Sequence, residues 1–122
     1  MVIIDIFAKQ KPSLSMIVIF EDKDLEELIL TGRNRKYKKV MKVKALMDGV
    51  LRAYRIMQTV PNAAMLGQFS FLHYEKLKHK LSGHSSVRIA NGYVERIIFI
   101  EEEEGIRVKL IELDDTHYGN KK

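Results

Sequence analysis

Residues 85–100, Ser85-Ser86-Val87-Arg88-Ile89-Ala90-Asn91-Gly92-Tyr93-Val94-Glu95-Arg96-Ile97-Ile98-Phe99-Ile100, decide the fold class. The flanks, residues 85–90 and 93–100, are rich in β-branched and aromatic side chains and read as strands. Asn91-Gly92 between them is the strongest two-residue hairpin signal, because a type I′ turn needs positive φ at both central positions. Alternation predicts that Val87, Ile89, Ile97 and Phe99 face a core, joined by Val108 and Leu110 from a further strand at residues 106–113. The glutamates Glu101 to Glu104, followed by Gly105, supply the turn into that strand. Upstream, residues 70–78 share the period of two, so three or four antiparallel strands are expected.

Working toward the N-terminus, the period lengthens. Tyr37, Val40, Met41, Val43, Leu46, Met47, Val50, Leu51, Tyr54 and Met57 recur at steps of three and four, predicting one helix over residues 37–59 that Pro61 and Asn62 stop. A shorter helix starts near Leu25 behind the caps Asp22 and Asp24, with Glu26 and Glu27 in its first turn, and ends at Thr31-Gly32. Before it, Met16 to Phe20 is a β-branched run of strand length. Strand, helix, helix and grouped strands argue an α+β domain, with two N-terminal helices packed on a curved antiparallel β-sheet. Residues 1–15 read as an extension and residues 16–122 as the domain.

The 122 residues are 46% hydrophobic and 30% charged, the balance of a globular chain. There is no cysteine, which excludes disulfides and thiolate metal sites and fits a reducing compartment. No apolar run has membrane-span length, and residues 1–7 lack a basic leader and a cleavage pattern, so a cytoplasmic protein is expected. The net charge is +5, but its distribution says more. Arg33, Arg35, Lys36, Lys38, Lys39, Lys42 and Lys44 run without an acid among them. Such a stretch either gathers phosphates or is a solvated helix face.

No Gly-rich phosphate loop, HExxH, nucleophile elbow or metal-ligand spacing is present. What remains is basic groups on a sheet. Tyr74, Lys76, Lys78 and Lys80 share parity, so an extended chain puts them on one face, where lysines serve either a ligand or protection of an edge. Arg88 points away from its core-type neighbours. Arg96 shares its parity with Ile98 and Ile100, and either arginine needs a phosphate, room to snorkel, or an ion pair to Glu75 or Glu112. The tail Asp114-Asp115-Thr116-His117-Tyr118 holds an imidazole that titrates near neutral pH; otherwise it is a plain exposed terminus.

Leu77-Lys78, a polar turn ending in Gly83, and Ser86-Val87-Arg88-Ile89 resemble the Leu-Lys-Gly…Gly…Ser-Ile/Val-Arg-Val stretch of the RelE/ParE superfamily of bacterial toxins. Asn91-Gly92-Tyr93 and the ending Asp114-Asp115-Thr116-His117 are similar to the HigB-like branch. The resemblance covers roughly residues 16–119. It implies the toxin of a type II toxin–antitoxin system, a cytoplasmic, ribosome-dependent mRNA endonuclease that needs no metal or cofactor. A cognate antitoxin, a small helix-turn-helix protein, would silence it. In that chemistry the RNA 2′-OH attacks the adjacent phosphate, which asks for a base, cations and an acid. The resemblance then assigns catalysis to Lys78, Arg88, Arg96, His117 and Tyr118, and RNA binding to Lys76, Lys80, Arg33, Arg35 and Lys36.

Two positions depart from the pattern. A histidine usual two residues before Leu-Lys is here Glu75, with His73 two residues further back. The arginine usual after the hairpin aromatic is here Val94, and Arg96 stands one pleat on. Two other readings remain open: a ParE-like toxin that inhibits DNA gyrase by binding, and a non-catalytic nucleic-acid-binding module.

Overall fold

A computed structural model describes residues 15–113. Strand β1 (Ile17–Phe20) leads into helices α1 (Lys23–Thr31), α2 (Lys38–Lys42) and α3 (Lys44–Thr59). Strands β2 (Glu75–Lys76), β3 (Ser85–Arg88), β4 (Arg96–Glu102) and β5 (Gly105–Glu112) follow, with short 3-10 segments at Ala63–Gln68, Ser70–Leu72 and His79–Leu81. The class is α+β. The sheet, however, is mixed: its order is β1-β5-β4-β3-β2, and β1 runs parallel to β5 while the other pairs are antiparallel. The chain leaving β1 passes through the three helices and then strands β2 to β4 before it reaches β5, so the parallel pair is joined by a long connection.

Helix α1 forms where its caps place it. Asp22 Oδ1 accepts from the N–H groups of Asp24 and Leu25 at 3.0 and 3.3 Å, and Gly32 closes the helix in the left-handed region at φ 80°. The long second helix is broken in two. Val43 is extended (φ −109°, ψ 106°), and its carbonyl starts α3 by accepting from Leu46 and Met47. Val40 and Leu46 are both fully buried, yet in an unbroken helix six residues turn the chain by about 240° and would put them on different sides. The break at Val43 rotates both inward.

The helices cover one face of the sheet. Their Leu25, Leu28, Val40, Leu46, Val50, Ala53 and Met57 form one core with Phe20, Val87, Ile89, Ile97, Phe99, Ile106, Val108 and Ile111. Helix α3 approaches so closely that a Cβ on Gly49 would stand 1.6 Å from the Ile89 carbonyl oxygen. Of the strand positions expected inside, Leu110 alone is not: it is 38% exposed. Phe99 pairs with Val108 but Ile98 pairs with Leu110, so Lys109 is an inserted residue. This bulge shifts the alternation and sends Ile111 inward in place of Leu110.

Residues 70–78 do not form the expected long strand. Ser70–Leu72 is a 3-10 turn that buries Leu72, His73 is left-handed at φ 48°, and only Glu75–Lys76 pairs with β3. A second left-handed residue, His79 at φ 61°, opens the turn that contains Lys80. Lys80 therefore falls outside the face expected for Tyr74, Lys76, Lys78 and Lys80, because the chain stops being extended at His79. The Asn91-Gly92 turn also differs from the tight hairpin expected. Strand β3 ends at Arg88 and β4 begins at Arg96. Inside that connection Tyr93 N–H donates to Ala90 O at 3.2 Å, and Gly92 alone of the central pair has positive φ. That is the pattern of a type II turn and not of type I′.

Candidate functional site

The face of the sheet away from the helices carries Arg88 and Arg96. They are direct register partners across the β3–β4 pair, and Arg96 is in turn the partner of Glu112 on β5. Alternation fixes this: Val87 and Ile97 are drawn into the core, so their neighbours Arg88 and Arg96 point out. Together with Val94, Glu112 and Leu113 they line a recess of about 380 Å³.

Two like charges placed opposite each other repel, and the neighbours deal with the two arginines differently. Arg96 Nε donates to Glu112 Oε1 at 2.7 Å, and its Nη1 stands 4.0 Å from Glu75 Oε2. These are the two acids that the sequence offered as ion-pair partners. Arg88 donates from Nη1 to the Tyr93 carbonyl at 3.3 Å and remains exposed. Among the described residues no carboxylate comes within ion-pair distance of it. The recess thus combines one guanidinium neutralised by acids, one bonded only to a carbonyl among the described residues, and a carboxylate, which suits an oxyanion that brings a neighbouring hydroxyl with it.

The other sequence candidates are dispersed. Lys78 is exposed, caps the turn at His79–Leu81 and does not line the recess; Lys80 lies within that turn. Lys76 pairs with Ser85 and lines a separate depression with His84, Ser85 and Glu101, on the side of the sheet that carries the helices. Arg33 and Arg35 line a third depression between α1 and α2, shared with Asp24 and Glu27. Lys36 is engaged in the fold: its ammonium lies 3.2 Å from Asp22 Oδ2 and 5.3 Å from the Tyr37 ring centroid. Within the basic run, Lys39 and Lys44 also have acids, Glu95 at 3.5 Å and Asp48 at 2.8 Å. The run is therefore partly a set of structural ion pairs. His117 and Tyr118 lie outside the described residues.

Two polar clusters went unnoticed in the sequence. Glu101 accepts from the Tyr74 hydroxyl and, at 2.7 Å, from Ser85 Oγ. Tyr74 stacks on Phe99 with centroids 6.4 Å apart, and burial first and the bond to Glu101 second push its hydroxyl up to about 12. The second cluster joins Asp22, Tyr37 and β5. The buried Tyr37 hydroxyl donates to Asp22 and accepts the Ile111 N–H at 3.1 Å. β1 pairs with β5 only as far as Val108, whose carbonyl takes the Glu21 N–H. Tyr37 thus satisfies β5 beyond the end of β1. Parity could have flagged Glu95, which shares the inward face with Ile97 and Phe99 and is fully buried. Nothing local announces Tyr37, since its partners lie 15 and 74 residues away in sequence.

Among the described residues no group of three His, Asp or Glu side chains stands together as a metal would need, and no helix is long and apolar enough to cross a membrane. The chain matches no family model and no curated protein.

Proposed function

We propose that this protein is the toxin of a type II toxin–antitoxin pair, a RelE-like endoribonuclease that cuts mRNA on the ribosome in the bacterial cytoplasm. The observation that carries the reading is the pairing of Arg88 with Arg96 on the sheet face the helices leave open. Two guanidiniums at that spacing can hold a phosphodiester and meet the charge of its phosphorane. The 2′-oxygen attacks phosphorus and the bond to the 5′-oxygen breaks, leaving a 2′,3′-cyclic phosphate and a 5′-hydroxyl. Glu112, in the recess, is the acceptor for the 2′-OH proton. His117 is the donor to the departing oxygen, and Lys78 and Tyr118 add contacts to the RNA. An antitoxin with an acidic segment would silence the enzyme by neutralising the recess.

One observation favours a second reading. Arg96 is already neutralised by Glu112 and Glu75, which suits docking on a protein such as DNA gyrase as well as it suits RNA. Translating ribosomes incubated with the protein, with mRNA 5′ ends mapped, separate the two. New 5′ ends that require His117 support the nuclease. Intact mRNA together with inhibited gyrase supercoiling replaces it with the ParE-like reading, and intact mRNA with unimpaired gyrase removes both.

A further inference from the structure

Glu95 is a buried ionisable group with no part in the chemistry above. Its side chain is 0% exposed, and neither carboxylate oxygen has a hydrogen-bond partner. Lys39 Nζ on α2 stands 3.5 Å from Oε2, and the lysine side chain keeps 26% of its surface in contact with solvent. Removing a carboxylate from water is costly, and one ion pair whose carboxylate accepts no hydrogen bond repays it poorly. An apolar pair of similar volume is often as stable or more so. Stability therefore gives no reason for a glutamate here. The best-attested use of a buried ion pair is the selection of one register.

The place of Glu95 in the chain fits that use. It immediately precedes β4, where alternation sends Glu95, Ile97 and Phe99 toward the helices and Arg96 toward the recess. A roll of one residue at this point would exchange Glu95 and Arg96 between the two faces. Ile97 and its neighbour Ile98 are both apolar, so hydrophobicity at the strand start discriminates weakly between the two arrangements. Charge does: only one arrangement brings Glu95 to Lys39 and Arg96 to Glu112. The Glu95 carbonyl also accepts the Ile89 N–H at 3.4 Å, extending the β3–β4 ladder past Arg88.

We infer that Glu95, held by Lys39, is a positioning residue that locks the start of β4 in the register aiming Arg96 into the recess. The consequence for phosphodiester cleavage rests on the proposed function; the lock itself does not. The full chain is compared with Lys39→Met/Glu95→Met and with Glu95→Gln. Three quantities are read: the urea midpoint, the Arg96 Nε–Hε NMR signal (assigned by its loss in Arg96→Lys), and mRNA cleavage on ribosomes. The double variant is expected to match or exceed the wild-type midpoint while its Arg96 signal moves from the position set by the Glu112 bond. Its kcat falls about 10- to 100-fold with KM changed less, since a misaimed group costs rate at this scale. A purely structural pair would leave the Arg96 signal and kcat untouched in that stable variant, and this result overturns the inference. Should the double variant fail to fold, Glu95→Gln decides: it keeps the size, and an unmoved Arg96 signal in it refutes the lock. A wild-type protein that leaves mRNA intact, with the Arg96 signal still displaced in the variants, removes the nuclease reading and upholds the lock.

Discussion

Arg88 and Arg96 face each other across two antiparallel strands, yet among the described residues only Arg96 is tied to carboxylates, Glu112 at 2.7 Å and Glu75 at 4.0 Å. Such an arrangement leaves the charge of Arg88, which is bonded to the Tyr93 carbonyl, open to an anion and holds Arg96 in a fixed orientation beside it. Arg88 can capture an anion, and Arg96 can receive it without a search through rotamers.

The two arginines should accordingly respond differently to removal. Arg88→Ala is expected to weaken RNA association and to lower the slope of log affinity against log salt by about one contact's share, while stability stays within about 0.5 kcal/mol. Arg96→Ala should reduce kcat more than binding. Salt-dependent binding measured on both variants, beside single-turnover cleavage, checks this; equal effects on the two quantities for both variants would contradict the division of labour.

In the proposed reaction the acid is His117. Its ordinary pKa of about 6.5 lets it give a proton near neutral pH, and loss of a positioned acid typically costs about 10²–10⁴-fold in rate. His117→Gln should remove most cleavage and growth arrest and spare ribosome association. Lys78→Ala should lower both, as a phosphate contact does. Undiminished cut sites in His117→Gln would take the imidazole out of the chemistry.

Tyr37 is the stability counterpart of these residues. Tyr37→Phe keeps the buried ring but removes the hydroxyl that serves both Asp22 and the Ile111 N–H. Leaving buried polar groups without a partner costs about 1–3 kcal/mol each. A lowered urea midpoint with an unchanged slope is expected. A loss below about 0.5 kcal/mol would mean that water takes over both roles.

Alkaline pH should expose the same tyrosines. Burial, then the bond to Glu101, pushes the Tyr74 hydroxyl up to about 12, and burial, then the bond to Asp22, raises Tyr37 as well. Unfolded tyrosine titrates near 10, so the folded chain holds these protons more tightly than the unfolded one. Their contribution is complete below about pH 10 and is lost as pH climbs from there through about 12. Urea midpoints of the wild type should fall over this window more steeply than those of Tyr37→Phe/Tyr74→Phe; parallel curves would refute the assignment.

Much of this architecture is written in local sequence. Asp22 and Gly32 bound α1 because a capping carboxylate and a left-handed glycine act within a few residues. The alternation of Val87, Ile97 and Phe99 places them inside, and their neighbours Arg88 and Arg96 outside, because a strand has only two faces. What the tertiary structure alone decided involves partners distant in the chain. The parallel pairing of β1 with β5, the bulge at Lys109 that exchanges Leu110 for Ile111, and the break at Val43 all come from fitting separate elements to one core. The same holds for charge: the basic run from Arg33 reads as one surface, but Lys36 and Lys39 are spoken for by Asp22 and Glu95. Pattern reports which face a residue takes, because that depends on its own backbone. It does not report which charge or strand waits there, because that depends on how distant segments minimise exposed apolar area and unpaired polar groups together.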